Sequence, residues 1–315
     1  MKIKKEYIIL ILIIIALSGY LYFKRADSLH YELPAIPSVD TAEITKMDII
    51  FGGKSLSLVK KDETWYLDPK NYPVDGKKID AMLAVLKDLS VTEMVSESEN
   101  YLLYELDDDN KIAIKAYAGS APVREFHIGK TAATYRHTYI MLAGDSKVYQ
   151  AKGNFREKFE LSSADLRDKK VLAFNKDEIK SLKITMADKV TTLTREDIPQ
   201  EDPQENTEAP VMNIQWKDQT GAVVEEESLD NFLNKLSALN CKEYLEDKTK
   251  TQMGTPVKDI VLDGTVEYRL SVYAKDGDAT PVSSSLNDYV FILEKGILEN
   301  IEKGLEELTK TPDKS

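Results

Sequence analysis

One arrangement of residues is written twice in this chain. Ile44-Thr45-Lys46-Met47-Asp48-Ile49 is answered by Ile179-Lys180-Ser181-Leu182-Lys183-Ile184, and the register holds without a gap through Leu58 against Leu193 and Asp62 against Asp197. Each stretch reads as two short strands around a hairpin turn, at Gly53-Lys54 in the first and Asp188-Lys189 in the second. Trp65 and Trp216, the only tryptophans, fall in the strand that comes next. The echo returns in helices. Ile79, Met82, Leu83, Leu86 and Leu89 share one face at three- and four-residue steps, and Leu229, Phe232, Leu233, Leu236 and Leu239 repeat that face. Asp75 or Asp80 can serve the N-terminus of the first helix, and Ser228 can cap the second. A matched pair of apolar faces calls for a matched pair of surfaces to pack on.

Further strands fit the same plan. Ile112–Tyr117, Val123–Gly129 and Tyr139–Leu142 are rich in branched and aromatic residues, as are Tyr268–Tyr273 and Tyr289–Leu293 in the second copy. Lys152-Gly153 and Lys295-Gly296 precede short terminal helices. The expected fold class is α+β: two similar, mainly antiparallel sheet-plus-helix units behind an N-terminal transmembrane helix. The expected division is 1–25 for a cytoplasmic tip and anchor, 26–43 for an extended tether, 44–174 for the first repeat with a helical junction, and 175–315 for the second. Within the second repeat, residues 197–210 carry three prolines and many carboxylates with almost nothing to bury, which predicts a solvated acidic loop. Its ligand spacing does not match a calcium loop.

The anchor rests on Tyr7 to Phe23, an uncharged apolar stretch between Lys2, Lys4 and Lys5 on one side and Lys24 and Arg25 on the other. As a helix it would be roughly 26 Å long, at the short end of what crosses a bilayer. Ala16-Leu17-Ser18 offers a cleavage spacing, but the apolar run continues through Tyr20, Leu21, Tyr22 and Phe23, which favours retention. The basic residues place the N-terminus in the cytoplasm and the main domain outside, as a single-pass cell membrane protein with residues 7–23 in the membrane.

Composition narrows the partners. A hydrophobic fraction of 42% and a charged fraction of 30% describe a chain able to bury real cores. A net charge of -12 disfavours nucleic acid as a partner. Cys241 is the only cysteine, so no intrachain disulfide forms; its setting reads as a small buried hydrophobe.

No residue set assembles a reaction. His30, His127 and His137 are the whole imidazole inventory, without His-Glu-x-x-His or paired cysteines, so no metal site is expected. Ser283-Ser284-Ser285 follows Pro281 as a turn would, with no histidine in the second half and no nucleophile elbow. Phe51-Gly52-Gly53-Lys54-Ser55 lacks the spacing of a phosphate loop and reads as a hairpin turn. Asp107-Asp108-Asp109 and Glu225-Glu226-Glu227 are contiguous and read as solvated surface, not as paired glycosidase acids. Tyr135, Tyr139, Tyr268, Tyr273 and Tyr289 fit sheet packing, or a sugar or protein contact in a cleft between the copies. The expectation is a protein that is not an enzyme and has no catalytic, cofactor or metal residues.

The motifs do resemble a family. The Trp65 strand, the helix Ile79–Leu89, Tyr101-Leu102-Leu103-Tyr104-Glu105-Leu106-Asp107, Phe126-His127-Ile128-Gly129, Tyr139-Ile140, Val148-Tyr149 and Leu166-Arg167-Asp168-Lys169 occur in the order of the bacterial domain-of-unknown-function family 4340. The resemblance covers most of residues 44–305. The acidic insertion near 200 departs from it, and Leu102-Leu103-Tyr104 lacks the glycine often found beside that motif's leucine and aspartate. It implies membrane-tethered proteins beside ABC-type export or gliding-motility systems, and brings no catalytic residues. The expected function is therefore a membrane-tethered extracytoplasmic accessory or scaffold subunit of an envelope complex, partnered by envelope or ABC-type membrane proteins. A glycan- or ligand-binding sensor is the alternative, with an envelope-polysaccharide enzyme behind it.

Overall fold

The computed structural model describes residues 5–27, 32–199 and 212–309. The chain divides into two compact units, Met1–Asp168 and Lys169–Ser315. After helix α1 (Lys5–Asp27), the first unit contains β1 (Lys46–Phe51), β2 (Lys54–Lys61), β3 (Thr64–Asp68), β4 (Tyr72–Pro73), α2 (Gly76–Asp88) and β5 (Val91–Ser96). Then come β6 (Ile112–Ala118), β7 (Ala121–Thr131), β8 (His137–Leu142), β9 (Val148–Lys152) and the short α3 (Ser163–Leu166). Its strands form one sheet in the order β4-β3-β2-β1-β6-β7-β8-β9-β5.

The second unit begins with β10 (Lys170–Ala173), β11 (Ser181–Met186), β12 (Lys189–Pro199), β13 (Met212–Asp218) and α4 (Glu226–Ser237). It continues with β14 (Ala238–Asn240), β15 (Glu243–Tyr244), β16 (Lys258–Asp263), β17 (Glu267–Val272), β18 (Pro281–Ser284), β19 (Val290–Ile292) and α5 (Lys295–Thr309). Its main sheet runs β13-β12-β11-β16-β17-β18-β19-β15, while β10 and β14 pair separately. Set beside the first unit from β3 onward, the strand order is the same.

The register repeats as well. Ile49 lies opposite Ile114 as Ile184 lies opposite Ile260, and Met47 opposite Ala116 as Leu182 lies opposite Leu262. All of these are buried, together with the echoed pairs Ile44 and Ile179, Leu58 and Leu193, and Trp65 and Trp216. Alternation sends these side chains to one face of each sheet, where the amphipathic helix must lie. In α2 the buried residues are Ile79, Met82 and Leu86; in α4 they are Leu229, Phe232, Leu233 and Leu236. Each such side chain contributes about 1.5–3 kcal/mol when fully buried. The caps differ. Asp75 caps α2 by accepting from the Lys77 N–H at 2.9 Å. Glu225, not Ser228, is the N-cap of α4, and the Ser228 hydroxyl donates to the Glu225 carboxylate at 2.8 Å from inside the first turn.

Several expectations change. The turn between β2 and β3 is tight at Asp62, whose φ is 53°, whereas β12 and β13 stay paired through Asp197–Ile214 to Pro199–Met212. The start of the expected acidic loop 197–210 is therefore strand, and its remainder lies outside the described residues, as does His30. The stretch read as a helical junction holds the four-residue α3 and then strand β10. Ser283 and Ser284 are buried in β18 rather than placed in a turn. Gly129 in β7 has a packing reason that composition hides. A Cβ there would strike the Tyr104 carbonyl oxygen and come within 2.9 Å of the Leu106 side chain, so glycine lets the 101–106 turn rest on the sheet.

The transmembrane part of the expected fold class is corrected; the α+β class stands. A span needs about 20 consecutive apolar helical residues. The side chains described in α1 are those of Ile9 and residues 11–21, and among the described residues no helix is long and apolar enough to cross a membrane. The single-pass topology, the cytoplasmic N-terminus and membrane contact through residues 7–23 fall with it.

Candidate functional site

The β1–β2 hairpin builds the floor of a groove in the first unit. Gly52 and Gly53 turn the chain with φ of 55° and 72°, the doubly left-handed geometry that matches strand twist and suits glycine. The register then sets Ile49 across from Leu56 and Phe51 across from Lys54. Residues directly opposite share a face. Three apolar side chains and one amine thus end up side by side.

The facing wall comes from the chain after β9, held by Arg156. This buried guanidinium donates from Nε to Glu160 at 2.8 Å, from Nη2 to the Asn110 carbonyl at 2.9 Å and from Nη1 to the Ile128 carbonyl at 3.4 Å. It also stands 5.6 Å from the centre of the Phe51 ring. Pinned this way, the turn after it drives Phe159 inward to 1% exposure and leaves Leu161 half-buried. Ser162 closes the rim through a reciprocal cap with Asp165, the two side chains 2.6 Å apart. The resulting groove has a volume of about 440 Å³ and is lined by Ile49, Phe51, Lys54, Leu56, Phe159 and Leu161, with the Glu160–Asp165 rim beside them.

Its charges are unevenly committed. Glu160 is paired with Arg156, and Asp165 is held by Ser162. Lys54 has no ion pair or hydrogen bond among the described residues. The groove therefore offers apolar walls and one uncommitted cation.

A groove in the second unit includes the counterparts of two of these residues. Lys189 and Thr191 stand where Lys54 and Leu56 stand in the first, and Glu307, Leu308 and Thr309 at the end of α5 form the opposite side. With Asp218, Gln219 and Thr220 lining it beside Ala222, Val223 and Val224, this groove of about 540 Å³ is of mixed character. Here the lysine is occupied: Lys189 Nζ donates to the Thr309 carbonyl at 2.6 Å.

The residues weighed from sequence do not converge. In the β7–β8 register His127 faces Met141 while Thr138 faces Thr131, so His127 and His137 are not cross-strand partners. His127 Nδ1 is buried without a hydrogen bond, and burial followed by the nearby Lys111 charge pulls its pKa below the usual imidazole value, against the pull of Glu125 and Asp108. Among the described residues no cluster of histidine, cysteine, aspartate or glutamate could hold a metal ion. Asp107 bonds Asn110 at 2.8 Å, and Glu225 to Glu227 begin α4. The tyrosines are dispersed: Tyr135 is 77% exposed, Tyr139 packs on Tyr104, Tyr268 on Phe174 and Tyr289 on Tyr244, and the Tyr273 hydroxyl meets Ser283 at 3.0 Å. Cys241 is buried. The groove residues Phe159 and Leu161 carried no recognisable motif; the one available signal was that Lys54 and Lys189 fall at the same place in the repeat.

Comparison with known proteins bears on family alone. No curated protein and no solved structure matches the chain. A family model does match, from Trp65 in β3 to Pro256 just before β16, a narrower span than the resemblance over 44–305 suggested. The matched region takes in the first unit from β3 onward, without β1 and β2, and the second unit as far as the approach to β16. The chain belongs to the family described as domain of unknown function DUF4340, matched over residues 65–256.

Proposed function

We propose that the protein is a non-catalytic binding protein whose first unit seats the apolar part of a ligand in the groove between the β1–β2 hairpin and Phe159–Leu161. The observation that carries this reading is an open groove floored by Ile49, Phe51 and Leu56. Its volume of about 440 Å³ falls within the size of ordinary small-ligand sites, about 300–1,000 Å³. Apolar walls supply affinity, and a few polar groups at the rim supply orientation. The membrane-tethered accessory role is withdrawn, because no helix among the described residues is long and apolar enough to provide the tether.

A neutral apolar fluorophore tests the groove. N-phenyl-1-naphthylamine should brighten on titration into the wild type, and Leu56→Glu, which puts a charge on the half-buried floor, should abolish most of that response with the circular dichroism unchanged. Equal brightening in the two proteins would refute the assignment.

A further inference from the structure

We infer that the first-unit groove receives a ligand whose apolar chain ends in a carboxylate, with Lys54 taking the carboxylate. This rests on the groove being a binding site, as proposed above, and adds the chemical class of what it binds. Two independent observations point to it.

The first is the charge accounting at the rim. Of the charged side chains lining the groove, Glu160 is neutralised by Arg156 at 2.8 Å and Asp165 is tied to Ser162, while Lys54 has no partner among the described residues. Lys54 is thus the lining charge that has no partner among the described residues. It is also placed next to the apolar floor, because Lys54 is the cross-strand neighbour of Phe51. A ligand whose chain lies on Ile49, Leu56 and Phe159 therefore brings its end to the amine.

The second observation comes from the other unit, which shows what a lysine at this position holds. Lys189, the counterpart of Lys54, donates to a carbonyl oxygen at the end of α5, at 2.6 Å from Thr309, and the neighbouring Leu308 is buried beside it. An oxygen acceptor following an apolar group occupies the lysine there. In the first unit the chain after β9 passes as a short turn and α3, and offers Lys54 no such acceptor. A carboxylate with an apolar tail reproduces the missing pair, and its full charge makes the hydrogen bond stronger than a neutral carbonyl would.

Decanoate and decan-1-ol separate the chain from the head group. Calorimetric titration of the full chain should show decanoate binding more tightly than the alcohol. Lys54→Glu should weaken decanoate by about tenfold, equivalent to about 1.4 kcal/mol, and leave the alcohol unchanged. Lys54→Arg should keep the preference, and Lys189→Glu should not alter it. Lys54 is exposed at a hairpin end, so these variants leave the core untouched. If both ligands bind but Lys54→Glu does not discriminate between them, the carboxylate assignment is wrong and the groove survives. If neither ligand binds and the neutral fluorophore also fails, the groove itself is wrong.

Discussion

His127 and Gly129 are two residues apart on β7 and show how much of a residue's role depends on what covers it. His127 alternates onto the face opposite Ile128, with its Nδ1 buried and unpaired. Since burial depresses its pKa in the folded chain, the unfolded chain binds the proton more readily, and stability drains away as pH falls through the ordinary imidazole value near 6.5. Urea midpoints measured at pH 7.5 and 5.5 should therefore differ, and His127→Gln should narrow that difference. An unchanged difference in the variant would show that carboxylates alone set the acid limit. The sequence gives the strand position of His127, because alternation is a local property. It hides the purpose of Gly129, because the Tyr104 carbonyl it accommodates arrives from a turn more than twenty residues earlier. Lys54 belongs to the same class: as part of Gly52-Gly53-Lys54 it reads as turn chemistry, and only Phe159 and Leu161 from far along the chain make it the edge of a groove.

At the scale of elements, periodicity carried well and termini carried poorly. Both amphipathic helices and both leading hairpins form where the echo places them, since an apolar stripe needs only its own residues to be visible. The N-cap of α4 did not follow from side-chain preference. Ser228 is the better capping residue, yet Leu229 must already be inside the helix to reach the core, and packing moves the start back to Glu225. The meeting of α4 and α5 was likewise invisible. It depends on Gly304, where a Cβ would approach the Phe232 ring to 2.6 Å. Gly304→Val gains some helix propensity, but the ring is buried in α4 and cannot retreat freely. Overpacking outweighs the gain, for a loss of about 1–3 kcal/mol in denaturant unfolding. A neutral result would mean that the two helices separate without cost.

For the molecule as a whole, duplication is the dominant fact. Each unit owns its sheet and its main helix, and the division at Asp168–Lys169 leaves both sheets intact. Residues 169–315 expressed alone should accordingly unfold in one cooperative transition with strand-rich circular dichroism; a broad, non-cooperative melt would show that the second sheet needs the first unit. The repeat was legible because copied hydrophobic spacing survives divergence. The anchor rested on the apolar run Tyr7–Phe23 between its basic flanks, and the described part of α1 does not provide a span. The shared strand order also governs how each half can be made. In the first unit β5 is synthesised directly after α2, yet its only neighbour in the sheet is β9, which leaves the ribosome last; β15 waits for β19 in the same way. Neither sheet can be completed hairpin by hairpin. Each must hold an unmatched edge open until its final strand emerges, which ties the maturation of either half to the arrival of its closing residues.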